Sequence, residues 1–152
     1  MSEDWNEFLE ELTKVGARYL VVGAHAMAVH GVPRGTQDID VWIAPDGDNV
    51  DRVWRALVAF GAPLHDLGVT LDDLRRPDTV IQLGLPPNRI DLMTSLSGVP
   101  DFESAWRERI EHPVRGSSIP FLGRAALIQS KRAAGRHKDL GDLEALGETP
   151  PS

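Results

Sequence analysis

Two aspartates, Asp38 and Asp40, lie one residue apart at the start of an apolar run that continues to Ala44. If this run is a β-strand, side chains at positions i and i+2 point to the same face, with Cα atoms roughly 6.6 Å apart. Two carboxylates on one face repel each other unless a cation lies between them. The pattern therefore predicts a strand whose entrance is a candidate metal-binding active site.

A third carboxylate is available at Asp91, within the apolar segment 90–93. If that segment is a strand beside the first, Asp91 joins Asp38 and Asp40, and three such carboxylates can hold two Mg²⁺ ions about 4 Å apart for phosphoryl transfer. Ligand sets made only of oxygen suit Mg²⁺ or Mn²⁺ rather than zinc. Two other interpretations stay open. In the first interpretation, Asp38 caps a turn and Asp40 is exposed. In the second, Asp91 pairs with an arginine near the turn at 88–89.

A small-residue turn at Gly23 and Ala24 follows a predicted buried strand at 18–22 and opens an alanine-rich helix. Such a turn leaves backbone N–H groups at the helix start free to face a phosphate. Many helices begin with glycine, so the turn alone is a weak indication. It gains weight because it lies fifteen residues before Asp38, close enough to be adjacent in a strand–helix–strand unit.

Helical and strand patterns alternate early in the chain and hairpins follow, which predicts an α+β fold with a mixed sheet flanked by helices. Helices are predicted at 4–16, 23–30, 48–60, 101–107, 123–134 and 139–146, and strands at 18–22, 39–44, 79–85, 89–93, near 114 and at 119–122. The segment 79–93 is typical of a hairpin. With no repeat or linker, we expect one domain over residues 1–148 and a disordered tail at 149–152.

The composition is that of an ordinary soluble globular protein, with 152 residues, 41% hydrophobic and 26% charged. The absence of cysteine excludes disulfides and thiolate metal sites and is compatible with a cytoplasmic location. The longest nearly apolar stretch, residues 19–29, is too short to cross a bilayer. The acidic N-terminal segment is the opposite of a signal peptide. We therefore expect a cytoplasmic protein without membrane contact.

The charge is unevenly distributed along the chain. Between residues 107 and 138, eight basic side chains outweigh two acidic ones, so this segment is +6 and the remainder is −13, for a total of −7. An acidic half that binds metal and a basic half that binds phosphate would suit a nucleotide site. Solvation of helix faces by arginine and lysine explains the asymmetry equally well.

Three separated motifs resemble the polymerase-beta-like nucleotidyltransferases, and within them the abortive-infection type, which includes toxins of type IV toxin–antitoxin systems. The motifs are YLVVGAHA at 19–26, HGVPRGTQDID at 30–40 and SKRAAGRHKDLGDL at 130–143, with Arg89-Ile-Asp91 between the last two. The resemblance covers residues 19–146. It implies a nucleotidyltransferase fold, here with a short helical C-terminus, and Mg²⁺-dependent transfer of a nucleoside monophosphate from an NTP with release of pyrophosphate.

The resemblance also assigns roles to individual residues. Asp38, Asp40 and Asp91 would be catalytic metal ligands, and Asp91 would help to activate the acceptor hydroxyl. Gly23 and Ala24 would cradle phosphates, Lys131 would contact the triphosphate, and the C-terminal family motif would comprise Lys138, Asp139 and Asp142. Ala24 stands where the family usually has glycine or serine.

Several assignments keep a second interpretation. Arg34 and Thr36 either bind nucleotide or only hold their loop, and Lys131 near a helix end is favoured by the helix dipole without any ligand. The expected partners are an NTP, an acceptor that is an RNA, a nucleotide or a protein, and an antitoxin. The alternative to an enzyme is a non-catalytic module of the same fold that binds a nucleotide or a partner. A metal-dependent nuclease ranks third.

Overall fold

A computed structural model describes residues 1–148 of the chain, which form six strands and six α-helices. The strands are β1 (Tyr19–Val22), β2 (Asp38–Ile43), β3 (Val80–Leu83), β4 (Arg89–Met93), β5 (Ile110–Val114) and β6 (Ser117–Phe121). The helices are α1 (Glu3–Lys14), α2 (Gly23–Val29), α3 (Gly47–Phe60), α4 (Phe102–Arg107), α5 (Arg124–Ala134) and α6 (His137–Ala145), with a short 3-10 helix at Leu71–Arg75. The tail predicted at 149–152 lies outside the described residues.

All six strands belong to one mixed sheet with the order β3-β4-β2-β1-β6-β5. Strand β2 is parallel to β4 and antiparallel to β1, while β1 and β6 are parallel. Two hairpins complete the edges, β3 with β4 and β5 with β6. The predicted α+β fold with a mixed sheet is confirmed, and the hairpin expected within 79–93 is the β3–β4 pair.

Side-chain alternation along β2 decides which residues face the candidate site. Ile39 and Val41 pack into a core with α1 and α3 because every second residue of a strand points to the same face. Asp38, Asp40 and Trp42 therefore belong to the opposite face. There, helices α2, α4, α5 and α6 contribute a second core that includes Trp42. The C-terminal helices thus cover the sheet face that carries the two aspartates.

Capping groups fix the helix ends. The Ser2 hydroxyl accepts a hydrogen bond from the Trp5 backbone N–H at 3.2 Å where α1 begins, and the Asp46 carboxylate does the same for Asn49 at 3.2 Å in α3. Helix α3 ends at Gly61, whose φ of 87° is the left-handed conformation typical of such ends. Helix α3 has 14 residues, and none of the described helices is long and apolar enough to cross a membrane.

Candidate functional site

Parallel pairing of β2 and β4 brings the three candidate metal ligands together. Asp40 lies directly beside Asp91 in the register, and Asp38 lies beside Arg89. Each of the three aspartates offers a carboxylate oxygen, and these oxygens all lie within 4.8 Å of one another. Asp91 is buried, whereas Asp38 and Asp40 are half-buried. The structure therefore assembles the cluster that the sequence spacing predicts.

Arg89 is already paired with two members of this cluster. Its Nη2 donates to Oδ2 of Asp38 at 2.7 Å and to Oδ2 of Asp91 at 3.2 Å, and its Nε donates to Oδ1 of Asp91 at 3.0 Å. The other oxygen of Asp38 accepts from the Thr36 hydroxyl at 3.1 Å. The pairing of Asp91 with an arginine, one of the interpretations that the sequence leaves open, is therefore present.

Asp40 has a different environment from its two neighbours. Burial raises its pKa to about 7, with further increases from the negative charges of Asp38 and Asp91, against a lowering by Lys138. One guanidinium among three carboxylates thus leaves the cluster short of positive charge. Carboxylate oxygens are the ligands that Mg²⁺ and Mn²⁺ prefer. The cluster therefore fits a divalent cation once Arg89 releases the carboxylate oxygens to which it now donates hydrogen bonds.

Gly23 is required by the close approach of Asp40 to the start of α2. Its φ is 66°, and a Cβ at this position would overlap Oδ2 of Asp40. Glycine is the residue that adopts this backbone conformation without strain. The visible role of Gly23 is therefore to make room for the Asp40 carboxylate. Ala24 follows it in the wall of the cavity described below, and α2 has only seven residues.

Two buried carboxylates on α6, Asp139 and Asp142, organise a group of cationic side chains. Asp142 pairs with Arg34 at 2.6 Å and with Lys131 at 2.9 Å. Asp139 pairs with Arg136 at 2.7 Å and with Lys131 at 3.5 Å. Lys131 is therefore held between two carboxylates rather than extended into solvent.

The acidity of these two aspartates reflects their ion pairs. Burial works to raise the pKa of both Asp139 and Asp142, but the hydrogen bonds and charges of their cationic partners outweigh it. The pKa of each lies below its usual value, with Arg136 the leading partner of Asp139 and Lys131 that of Asp142. Both carboxylates are thus ionised at neutral pH and fix the positions of the cations.

One cavity of about 380 Å³ is lined by both acidic and cationic side chains. Its lining includes all the predicted site residues except Asp91, namely Gly23, Ala24, Arg34, Thr36, Asp38, Asp40, Lys131 and Lys138. Asp91 is buried on β4 directly beside Asp40. The structure therefore brings the predicted metal-binding and phosphate-binding residues to a single site.

Sequence reasoning missed two arginines of this site. Arg89 was considered only as a partner of Asp91, although it bridges Asp91 and Asp38. Arg136 belongs to the basic segment and to the motif at 130–143 but receives no role from the sequence, although it lines the cavity and pairs with Asp139. A signal was available for each, because Arg89 lies two residues before Asp91 on one strand and Arg136 lies three before Asp139.

Comparison with known proteins supports the fold assignment. No protein-family model matches the chain, and no curated protein matches it. Among solved structures, the chain is similar to a Thermotoga maritima protein that is named a putative nucleotidyltransferase (TM1012), with a TM-score of 0.62 and 15% sequence identity. The match covers 93% of this chain and 88% of that one. The chain therefore shares the fold of that protein.

Proposed function

We propose that the protein is a divalent-metal-dependent nucleotidyltransferase that transfers a nucleoside monophosphate from an NTP to a hydroxyl group. The observation that carries this proposal is the presence of both acidic and cationic side chains in the lining of one cavity. Asp38 and Asp40 line this cavity together with Arg34, Lys131 and Lys138. A metal–triphosphate complex presents cations and anions side by side, so it is complementary to such a cavity.

In this proposal the acidic and the cationic residues of the site have separate tasks. Asp38, Asp40 and Asp91 hold Mg²⁺ or Mn²⁺, and Arg34, Lys131 and Lys138 bind the phosphates. Bound metal would neutralise charge on the triphosphate and lower the pKa of the acceptor hydroxyl. The acceptor oxygen would form a bond to the α-phosphorus as the bond from that phosphorus to pyrophosphate breaks, and a carboxylate oxygen of Asp91 would accept the hydroxyl proton.

The identity of the acceptor is a narrower proposal that rests on the resemblance to the abortive-infection type. On that basis the acceptor is an RNA, a nucleotide or a protein hydroxyl, the cell compartment is the cytoplasm, and an antitoxin is the partner protein. A neighbouring gene for a DNA-binding antitoxin would support the toxin role. A nucleotidyltransferase with no such neighbour would favour a housekeeping role for the same chemistry.

A non-catalytic binding module is the second candidate function, and one observation favours it. Arg89 occupies oxygens of Asp38 and Asp91 that a metal would use. If this pairing is permanent, the cationic residues could still bind a nucleotide without turnover. The two candidates therefore differ in whether metal-dependent chemistry follows nucleotide binding.

Incubation with Mg²⁺ or Mn²⁺ and each α-labelled NTP separates the two candidates. The wild-type protein should release pyrophosphate and transfer label to an acceptor, or to itself, in a metal-dependent way. Asp40→Asn removes a carboxylate charge with little change of shape and should abolish the reaction. Asp66→Asn, at an exposed aspartate outside the cavity, is the matched control and should react as the wild type does. Nucleotide binding without any product in the wild type would support the binding module.

A further inference from the structure

The guanidinium of Arg89 binds three of the six carboxylate oxygens of the candidate metal site. Both oxygens of Asp91 accept hydrogen bonds from it, and so does Oδ2 of Asp38. The remaining oxygen of Asp38 accepts from Thr36. Among the three carboxylates only Asp40 makes no ion pair with Arg89. A cation that entered this cluster would therefore compete with a positive charge already bound there.

We propose that Arg89 is a resident counter-ion that the metal displaces, so that free metal binds weakly and the site fills when metal and nucleotide arrive together. This inference rests on the metal site of the proposed function. A guanidinium and a divalent cation at the same carboxylates repel each other, and they also compete for the same lone pairs. Both effects lower the affinity of the unliganded protein for metal.

Bound nucleotide would raise the affinity for metal because a triphosphate supplies negative charge next to the displaced arginine. Guanidinium groups bind phosphate oxygens through two parallel hydrogen bonds, so Arg89 can exchange a carboxylate for a phosphate partner. In this way the loss of its pairs to Asp38 and Asp91 is offset only when nucleotide is present. Arg89 thereby couples metal binding to nucleotide binding.

The surroundings of Arg89 allow its side chain to move while its backbone stays in place. Its side chain is 29% exposed. Its backbone N–H donates to the Gln37 carbonyl at 3.2 Å, and its carbonyl accepts from the Trp5 indole N–H at 3.0 Å. Pairing with Asp38 in the β2–β4 register also holds the backbone of Arg89 in the sheet. A change of rotamer is therefore sufficient to release both aspartates.

Calorimetric titration with Mn²⁺ tests this inference without any measurement of turnover. In the absence of nucleotide, Arg89→Gln should bind Mn²⁺ about tenfold more tightly than the wild type, since one competing positive charge is lost. Arg115→Gln is the matched control, because Arg115 is an exposed arginine that pairs with Glu3 away from the cavity. It should bind Mn²⁺ as the wild type does. With a non-hydrolysable NTP present, the difference in Mn²⁺ affinity between Arg89→Gln and the wild type should become smaller or change sign.

Thermal unfolding supplies a second measurement and a safeguard against misfolding. Without metal, Arg89→Gln should have a lower melting temperature than the wild type because its three carboxylates lack the guanidinium counter-ion. Mn²⁺ should raise the melting temperature of this variant more than that of the wild type. Arg89→Lys keeps the charge but loses the forked geometry, so it should show intermediate Mn²⁺ affinity. If neither variant binds Mn²⁺ more tightly than the wild type, Arg89 is not a competitor and the inference fails. If the wild type binds no Mn²⁺ even with NTP, the proposed metal site itself is wrong.

Discussion

At the scale of single residues, the buried carboxylates of α6 decide where the cations of the site lie. Lys131 is only 12% exposed, and Asp139 and Asp142 hold it from two sides. An ion pair of this kind contributes little net stability, but loss of one partner leaves a buried charge uncompensated. Asp142 also holds Arg34, which lies in the loop between α2 and β2. These aspartates therefore position the groups that are proposed to bind phosphate.

Asp142→Asn tests this positioning role. The change keeps the size of the side chain but removes the charge that Arg34 and Lys131 share, so the KM for NTP should rise about tenfold while kcat changes less. The free energy of unfolding should fall by about 3 kcal/mol because Arg34 loses its ion pair with Asp142 and Lys131 keeps only its pair with Asp139. Steady-state kinetics and urea unfolding measure the two effects. Glu144→Gln, an exposed position on the same helix, should alter neither, and an unchanged KM in Asp142→Asn would limit Asp142 to a structural role.

At the scale of elements, the junction of β1 and α2 is shaped by its contact with β2. Helix α2 starts at the residue after β1 ends, without a loop. The antiparallel register places Val22 beside Asp40, so the first turn of the helix faces that carboxylate. Only a residue without a Cβ leaves room for Asp40 at this point. The glycine thus serves the position of the aspartate, a role that a turn motif alone does not indicate.

Gly23→Ala should displace the Asp40 carboxylate, and Gly16→Ala provides a closely matched control. Both glycines have left-handed backbone conformations, with φ of 66° and 70°, but a Cβ at Gly16 would meet no atom within 4 Å. Each alanine should lower the free energy of unfolding by about 1–2 kcal/mol through backbone strain. Only Gly23→Ala should also lose most metal-dependent transferase activity. Equal activity in the two variants would show that the Asp40 position is not critical.

At the scale of the whole molecule, one sheet face carries two adjoining cavities. The second has a volume of about 620 Å³ and shares Leu96 and Ser97 with the first. Trp42 lines it and lies two residues beyond Asp40 on the same face of β2. Its lining, all within the described residues, contains no lysine or arginine. Its chemistry therefore suits an uncharged ring rather than a phosphate, and we expect it to receive the base of the nucleotide.

Two exposed valines allow this expectation to be tested with matched variants. Val80 lines the second cavity and Val58 lies on α3, and each is 58% exposed. Val80→Trp should fill the cavity and weaken NTP binding about tenfold, without effect on binding of inorganic tripolyphosphate. Val58→Trp should bind both ligands as the wild type does. If Val80→Trp binds NTP normally, the base lies elsewhere.

The sequence predicts the carboxylates of the site better than it predicts their ion-pair partners. The Asp-x-Asp spacing and a second apolar segment with Asp91 were sufficient to predict the carboxylate cluster, because a strand places alternate residues on one face. The partners of these carboxylates were not predictable in the same way. Arg89 reaches Asp38 because two strands far apart in the chain pair with each other. Lys131 lies between Asp139 and Asp142 because α6 packs against α5, an arrangement that the local sequence pattern does not determine.

The amino-acid sequence by itself determined the class of fold, the strand that carries Asp38 and Asp40, and the types of residue available for metal and phosphate. These follow from periodicity and local chemistry, which act over a few residues. Only the tertiary structure decided that β4 lies parallel to β2, that Arg89 occupies the carboxylates, and that α6 encloses the cations. The physical reason is that strand order and ion pairing depend on the packing of distant segments, where burial sets the strength of each charge interaction.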